Sequence, residues 1–144
     1  MGPTFKKISE EYGDKVKIVF MHQPLSFHKN AYAAATASLA AHAEGKFWEY
    51  HDLLFANQKA LSRPDLERYA EQTGLNMKKF KAALDNKAYD AHIKRNQAVA
   101  AKVGARGTPT SFINGRMVRG AQPFPSWKAI IDDELAKLDG AKAK

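Results

Sequence analysis

The chain has 144 residues, 44% hydrophobic and 26% charged, a globular composition that excludes wholesale disorder and fibrous repeats. It contains no cysteine, which excludes disulfides, thiolate nucleophiles, Fe–S clusters and Cys-ligated zinc within it. Twenty-three Lys and Arg against 15 Asp and Glu give a net charge of +8, but the basic residues are dispersed and no aromatics interleave with them, so solvated helix faces are expected rather than a nucleic-acid surface.

Taken in chain order, Gly2-Pro3-Thr4 leads into Phe5, Ile8 and Tyr12, apolar at helical spacing, with Gly13 as the stop. From Lys15 the period changes to two: Val16, Ile18 and Phe20 alternate with Lys15, Lys17, Val19 and Met21. The pattern predicts a strand over about Lys15–His22 with one buried face, and a second face covered toward its C-terminal end. After a loop, Asn30 is placed to cap an Ala-rich helix that runs to Gly45. Phe47 to Phe55 follows as a strongly apolar helix. Ser62 with Asp65 three residues on marks the start of another, carrying Leu66, Tyr69 and Ala70 and stopping at Gly74. Asn76 caps a helix through Met77, Phe80 and Leu84. A longer one spans about Lys87 to Val103, with Tyr89, Ile93, Ala100 and Val103 on one stripe.

The end of the chain returns to β structure. Thr110 to Ile113, then Asn114-Gly115, then Arg116 to Arg119 predicts a hairpin, because Asn-Gly takes the positive φ required at both centres of a type I′ turn. A final helix opens at Phe124-Pro125-Ser126 with Trp127, Ile130, Ile131, Leu135 and Leu138 facing inward, and residues 140–144 read as a frayed basic tail. The expectation is a single α/β domain over residues 1–139 with a helical insertion at about 30–103. No apolar run approaches the roughly 20 residues that span a bilayer. The N-terminus lacks the apolar stretch of a secretion signal, so the protein is expected to be cytoplasmic or to have lost a leader.

Ala105-Arg106-Gly107-Thr108-Pro109-Thr110-Ser111-Phe112-Ile113-Asn114-Gly115 resembles the cis-proline end of the thioredoxin fold. The passage from Glu11 to Phe20, His22-Gln23-Pro24-Leu25, Phe27 to Ala31, Gly45 to Phe55 and Arg119 to Phe124 is similar, in order and spacing, to the DsbA-like thiol–disulfide oxidoreductases. The likeness covers roughly Gly2 to Leu138. It implies a thioredoxin-like fold, with Pro109 in the cis form and Thr108 offering its backbone to an extended polypeptide substrate. It implies an extracytoplasmic, periplasmic setting for the parent function, which is thiol–disulfide exchange on proteins.

The departures from that family set further expectations. Its first core strand precedes a Cys-x-x-Cys at the start of a helix, and Gly2-Pro3-Thr4 looks like the middle of that helix. The chain is therefore expected to begin after the redox pair and to lack the central strand, whether by natural truncation, a misplaced start codon or trimming. Exchange needs a thiolate attacking a disulfide sulfur, so the chain as given is expected to be redox-inactive, with no catalytic residue. A non-catalytic peptide-binding or self-associating module is the alternative. The strands on either side of the empty slot would have to re-pair, or a swapped homodimer would close the gap. No cofactor is expected. The five histidines, His22, His28, His42, His51 and His92, include no His-x-x-x-His pair and are read as structural or solvated rather than as metal ligands. Phe47, Trp48, Tyr50 and Phe55 are read as core. Asp132-Asp133-Glu134 is read as three acids on different helix faces, unable to act as an acid/base pair.

Overall fold

The computed structural model describes residues 2–142, with side chains to residue 138. Its elements are α1 (Gly2–Tyr12), a 3-10 turn (Gly13–Lys15), α2 (Ala31–Ala43), α3 (Phe47–Ala56), α4 (Arg63–Gln72), α5 (Met77–Asp85), α6 (Asp90–Lys102), β1 (Thr110–Ile113), β2 (Arg116–Arg119) and α7 (Phe124–Lys142). They fall into two compact units, one made of residues 1–20 and 105–144 and the other of residues 21–104. The described residues are mostly helical, with one small antiparallel sheet, β1 against β2.

The first unit combines that sheet with α1 and α7. Thr110 pairs with Arg119 and Ile113 with Arg116. Asn114 (φ 46°) and Gly115 (φ 89°) occupy the left-handed region that the two-residue turn requires. α1 and α7 pack together, and α7 packs on β1. Ile8, Tyr12, Val118, Trp127 and Ile131 form the buried core, with Val16 and Ile18 packed against it. Phe5 meets Trp127 edge to face at 5.5 Å. Tyr12 donates to Asp132 Oδ1 at 2.6 Å, and Lys128 pairs with Glu11 at 2.5 Å, tying α1 to α7 at the surface.

The second unit is a helical bundle around α2, which packs against α3, α4, α5 and α6. Alanine at Ala34, Ala37, Ala40 and Ala41 keeps α2 thin, so its neighbours come close, and Tyr50, Leu54, Leu66, Tyr69, Leu75 and Phe80 fill the space around it. Ala35, Leu39 and Ile93 form a smaller cluster. α4 opens with the reciprocal cap read from the sequence, Asp65 accepting from the Ser62 N–H at 3.2 Å, and Asn76 caps α5 by accepting from Lys79 N–H at 3.1 Å.

Several expectations are corrected. Lys15–His22 is not a strand: Lys15 closes the 3-10 turn, and residues 16–25 have no regular structure. The backbone is extended at Val16 (φ −128°, ψ 125°), and the alternation is real, since Val16 and Ile18 are half-buried while Lys15 and Lys17 are exposed. What is missing among the described residues is a neighbouring strand to complete a ladder. Nor is the second face covered, because Val19 is 68% and Met21 47% exposed. Asn30 has helical backbone angles (φ −100°, ψ −1°) and makes no side-chain cap bond, since a cap needs extended angles to turn its side chain back on the first turn. Val103 and Leu138, expected inward, are exposed. Of the expected tail, Gly140, Ala141 and Lys142 continue α7, as Ala and Lys favour. Residues 143–144 lie outside the described residues.

Candidate functional site

In the first unit the loop before β1 brings the two residues singled out from the sequence to the surface. The Thr108–Pro109 peptide bond is cis, and both residues are exposed. The loop is held from both sides. Pro109 C=O accepts from Gly120 N–H at 2.9 Å, continuing the β1–β2 ladder by one step, and Thr110 Oγ1 donates to Gly107 C=O at 2.7 Å. Proline at this position forgoes only the return bond that an N–H here would give to Gly120, a loss tolerated at the first residue of a strand. Beyond the loop, β1 is paired on one edge only among the described residues, and Phe112, at its centre, is 41% exposed. A surface loop of fixed shape leading into a half-paired strand suits recognition of extended backbone by main-chain hydrogen bonds.

Asp132, Asp133 and Glu134 of α7 are all paired. Asp132 accepts from Tyr12 and pairs with Lys128 at 3.2 Å. Asp133 and Glu134, expected on different faces, both reach Arg116 and Lys137, because the long basic side chains span the separation. The hydroxyl of Tyr12 and the ammonium of Lys128 hold the Asp132 carboxyl below its usual range. Lys137 and Arg116 do the same for Asp133.

In the second unit four of the five histidines come together, which the sequence did not signal. His22 is buried, and its ring lies 6.2 Å from Phe47 and 6.4 Å from His92. Phe47 also faces His42 at 6.1 Å and His51 at 5.7 Å. His51 continues the stack to Phe55 at 4.5 Å, and its Nδ1 lies 2.9 Å from Asp52. His28 stands apart beside the exposed Phe27. Burial, and secondarily the neighbouring His92, His51 and His42, push the pKa of His22 down to about 4. Among the described residues no group of three or more His, Asp or Glu is arranged to hold a metal ion. Of the four aromatics expected in the core, Tyr50 is fully buried, whereas Trp48 (45%) and Phe55 (51%) reach solvent.

In the first unit Lys7, Glu10, Glu11 and Phe124 line a wide, open hollow of about 330 Å³. A hollow of about 140 Å³ in the second, lined by Glu44, Lys79, Phe80 and Tyr89, is smaller than the roughly 300–1,000 Å³ that ligand sites occupy. Among the described residues no helix is long and apolar enough to cross a membrane.

Residues 4–132 match the DSBA-like thioredoxin domain. Among curated proteins, a Na(+)/H(+) antiporter NhaA of Herminiimonas arsenicoxydans is 37% identical over 129 residues, covering 90% of this chain and 20% of that protein. Na(+)/H(+) antiporter NhaA 3 of Salinispora tropica is 38% identical over 135 residues, 93% of this chain and 21% of its own length. Na(+)/H(+) antiporter NhaA 1 of Salinispora arenicola is 35% identical over the same length. The chain thus spans about a fifth of these relatives.

Proposed function

The chain belongs to the DSBA-like thioredoxin domain family, a thiol–disulfide oxidoreductase type of domain, and from that premise we propose that it is a polypeptide-holding module that performs no disulfide exchange of its own. The observation that carries this reading is the exposed Thr108–Pro109 loop, anchored through Pro109 C=O to Gly120 and continuous with the half-paired β1. An extended peptide laid along it would find the backbone of Thr108 and the outer edge of Thr110–Ile113. No sulfur nucleophile is present to attack a disulfide. The antiport named for the relatives is not carried over, since the match spans a fifth of their length.

Two measurements test it. In an insulin-reduction assay with dithiothreitol the chain leaves the uncatalysed rate unchanged, and an acceleration overturns the inactivity. Titration of the ¹⁵N-labelled chain with unfolded, alkylated polypeptide shifts the amides of Thr108 and Thr110. Unchanged amides at millimolar peptide remove the binding reading.

A second reading, self-association, is favoured by the single pairing of β1 among the described residues, and by residues 16–19, which leave the 3-10 turn with extended angles at Val16 and belong to no strand. An unpaired edge is a template for another chain, and a second copy is the proposed occupant, forming a homodimer. Light scattering over micromolar concentrations should give a mass that rises toward twice that of one chain. A constant single-chain mass with a cooperative melt rejects it.

A further inference from the structure

Outside the proposed site, the most chemically distinctive feature is the gathering of His22, His42, His51 and His92 in the helical unit. They come from four separate elements: the segment after Phe20, α2, α3 and α6. His22 is the inner member. Its backbone N–H donates to Asn96 Oδ1 of α6 at 2.8 Å, and two residues later Pro24 C=O accepts from Gln97 Nε2 at 3.3 Å. The segment is thus fastened to consecutive residues of one helix. The ring of His22 is wedged between Phe47 and His92, two residues after the chain leaves the first unit.

We propose that this arrangement is a proton-operated latch: the neutral ring of His22 keeps residues 21–25 docked on α6, and acidification releases the segment. Basic groups face His22 from three packed elements, His42 from α2, His51 from α3 and His92 from α6. The nearby carboxylate on α3, Asp52, is exposed and bonded to His51 Nδ1. At the end of α2, Glu44 is bonded to the backbone N–H of Asn76, and on α6 Asp90 is bonded to Tyr32. A proton on His22 would place a charge beside an aromatic ring, away from water and among other basic groups, which is costly unless the ring moves out to solvent. Release breaks the Asn96 and Gln97 bonds and the ring contacts of His22 with Phe47 and His92, none of which belongs to the cluster of Tyr50, Leu66 and Phe80 that holds the bundle together.

The direction follows from burial. His22 binds its proton at about pH 4 when docked and near pH 6.5 when released, like unperturbed imidazole. The released form therefore takes up protons first as pH falls, and the opening equilibrium rises about 25-fold between pH 7.5 and pH 5. Amide hydrogen exchange, corrected for intrinsic rates, reads this at the His22 N–H. Its protection falls about 25-fold over that interval, while core amides of α2 change less. In His22→Phe and His22→Gln, neither of which titrates, the protection is the same at both pH values. Equal wild-type protection at pH 7.5 and pH 5 overturns the latch, as does an equal loss in the two variants. Should neither variant fold, the imidazole Cε1–H shift of wild-type His22 decides. A midpoint below about 6.5 together with a fall in His22 N–H protection between pH 7.5 and pH 5 upholds the proposal, and a midpoint near 6.5 or unchanged protection rejects it.

Discussion

The α3 helix shows how position on a turn, rather than residue type, decides what an aromatic does. Tyr50 and Leu54, four apart, face α2 and are buried, whereas Phe47, His51 and Phe55 form a second stripe whose outer end reaches solvent. A 3.6-residue period assigns residues to stripes but does not say which stripe meets a neighbour. Tyr50 combines apolar burial with one polar duty, its hydroxyl donating to Leu66 C=O at 2.9 Å in the core. Burial pushes its phenol pKa well above the ordinary tyrosine value. Tyr50→Phe should cost about 1 kcal/mol, because the Leu66 carbonyl keeps its helical bond and only one hydrogen bond is lost. Tyr50→Ala should cost roughly 3–5 kcal/mol through the cavity it leaves. Phe55→Ala, by contrast, should stay within about 0.5 kcal/mol. Urea denaturation of the three variants checks the order, and a Phe55 effect as large as the Tyr50→Ala effect contradicts this division of the helix.

At the level of elements, two asparagines that look alike in sequence serve differently. Asn76 has extended backbone angles and accepts from Lys79 N–H, while Asn30 has helical angles and caps nothing. Asn76→Ala should therefore cost about 1 kcal/mol, and Asn30→Ala should leave the denaturation midpoint unchanged. Equal costs would mean that Asn30 caps in solution. In the hairpin, Gly115→Val places a β-branched side chain at φ 89°, and a loss of about 1–2 kcal/mol is expected from that backbone conflict. The hairpin was legible to the residue because its signal is local: a dipeptide that tolerates positive φ between two short alternating runs. The α4 and α5 starts were legible for the same reason. Residues 15–22 were legible only in part. Alternation reports that Val16 and Ile18 are covered, but a strand exists only when another strand supplies the ladder, and that partner is not a property of the segment. The histidine cluster was not legible at all. Residues 22, 42, 51 and 92 share no period, and only the packing of α2, α3 and α6 brings them together.

For the molecule as a whole, the net charge of +8 says little about stability, because exposed charges contribute little individually. The buried imidazole matters more. His22 is held neutral in the fold with its pKa near 4, against about 6.5 in the unfolded chain. Between those values the unfolded state binds more protons than the folded one, so stability rises with pH through the window. Above pH 6.5 neither state is protonated at His22, and the contribution is complete. As pH falls from 6.5 toward 4 it is progressively lost. A proton uptake of this kind amounts to about 2 kcal/mol between pH 7.5 and pH 5. Urea unfolding followed by far-ultraviolet circular dichroism should show that loss, with an unchanged dependence on denaturant. His22→Phe keeps a ring beside Phe47 and removes the titration, so its stability should vary less over the same interval, by the amount assigned to His22. If the variant and the wild type lose stability in parallel, the pH dependence belongs to the exposed carboxylates and the remaining histidines. The buried ring would then be a packing element only, and the helical unit would have no acid-sensitive core.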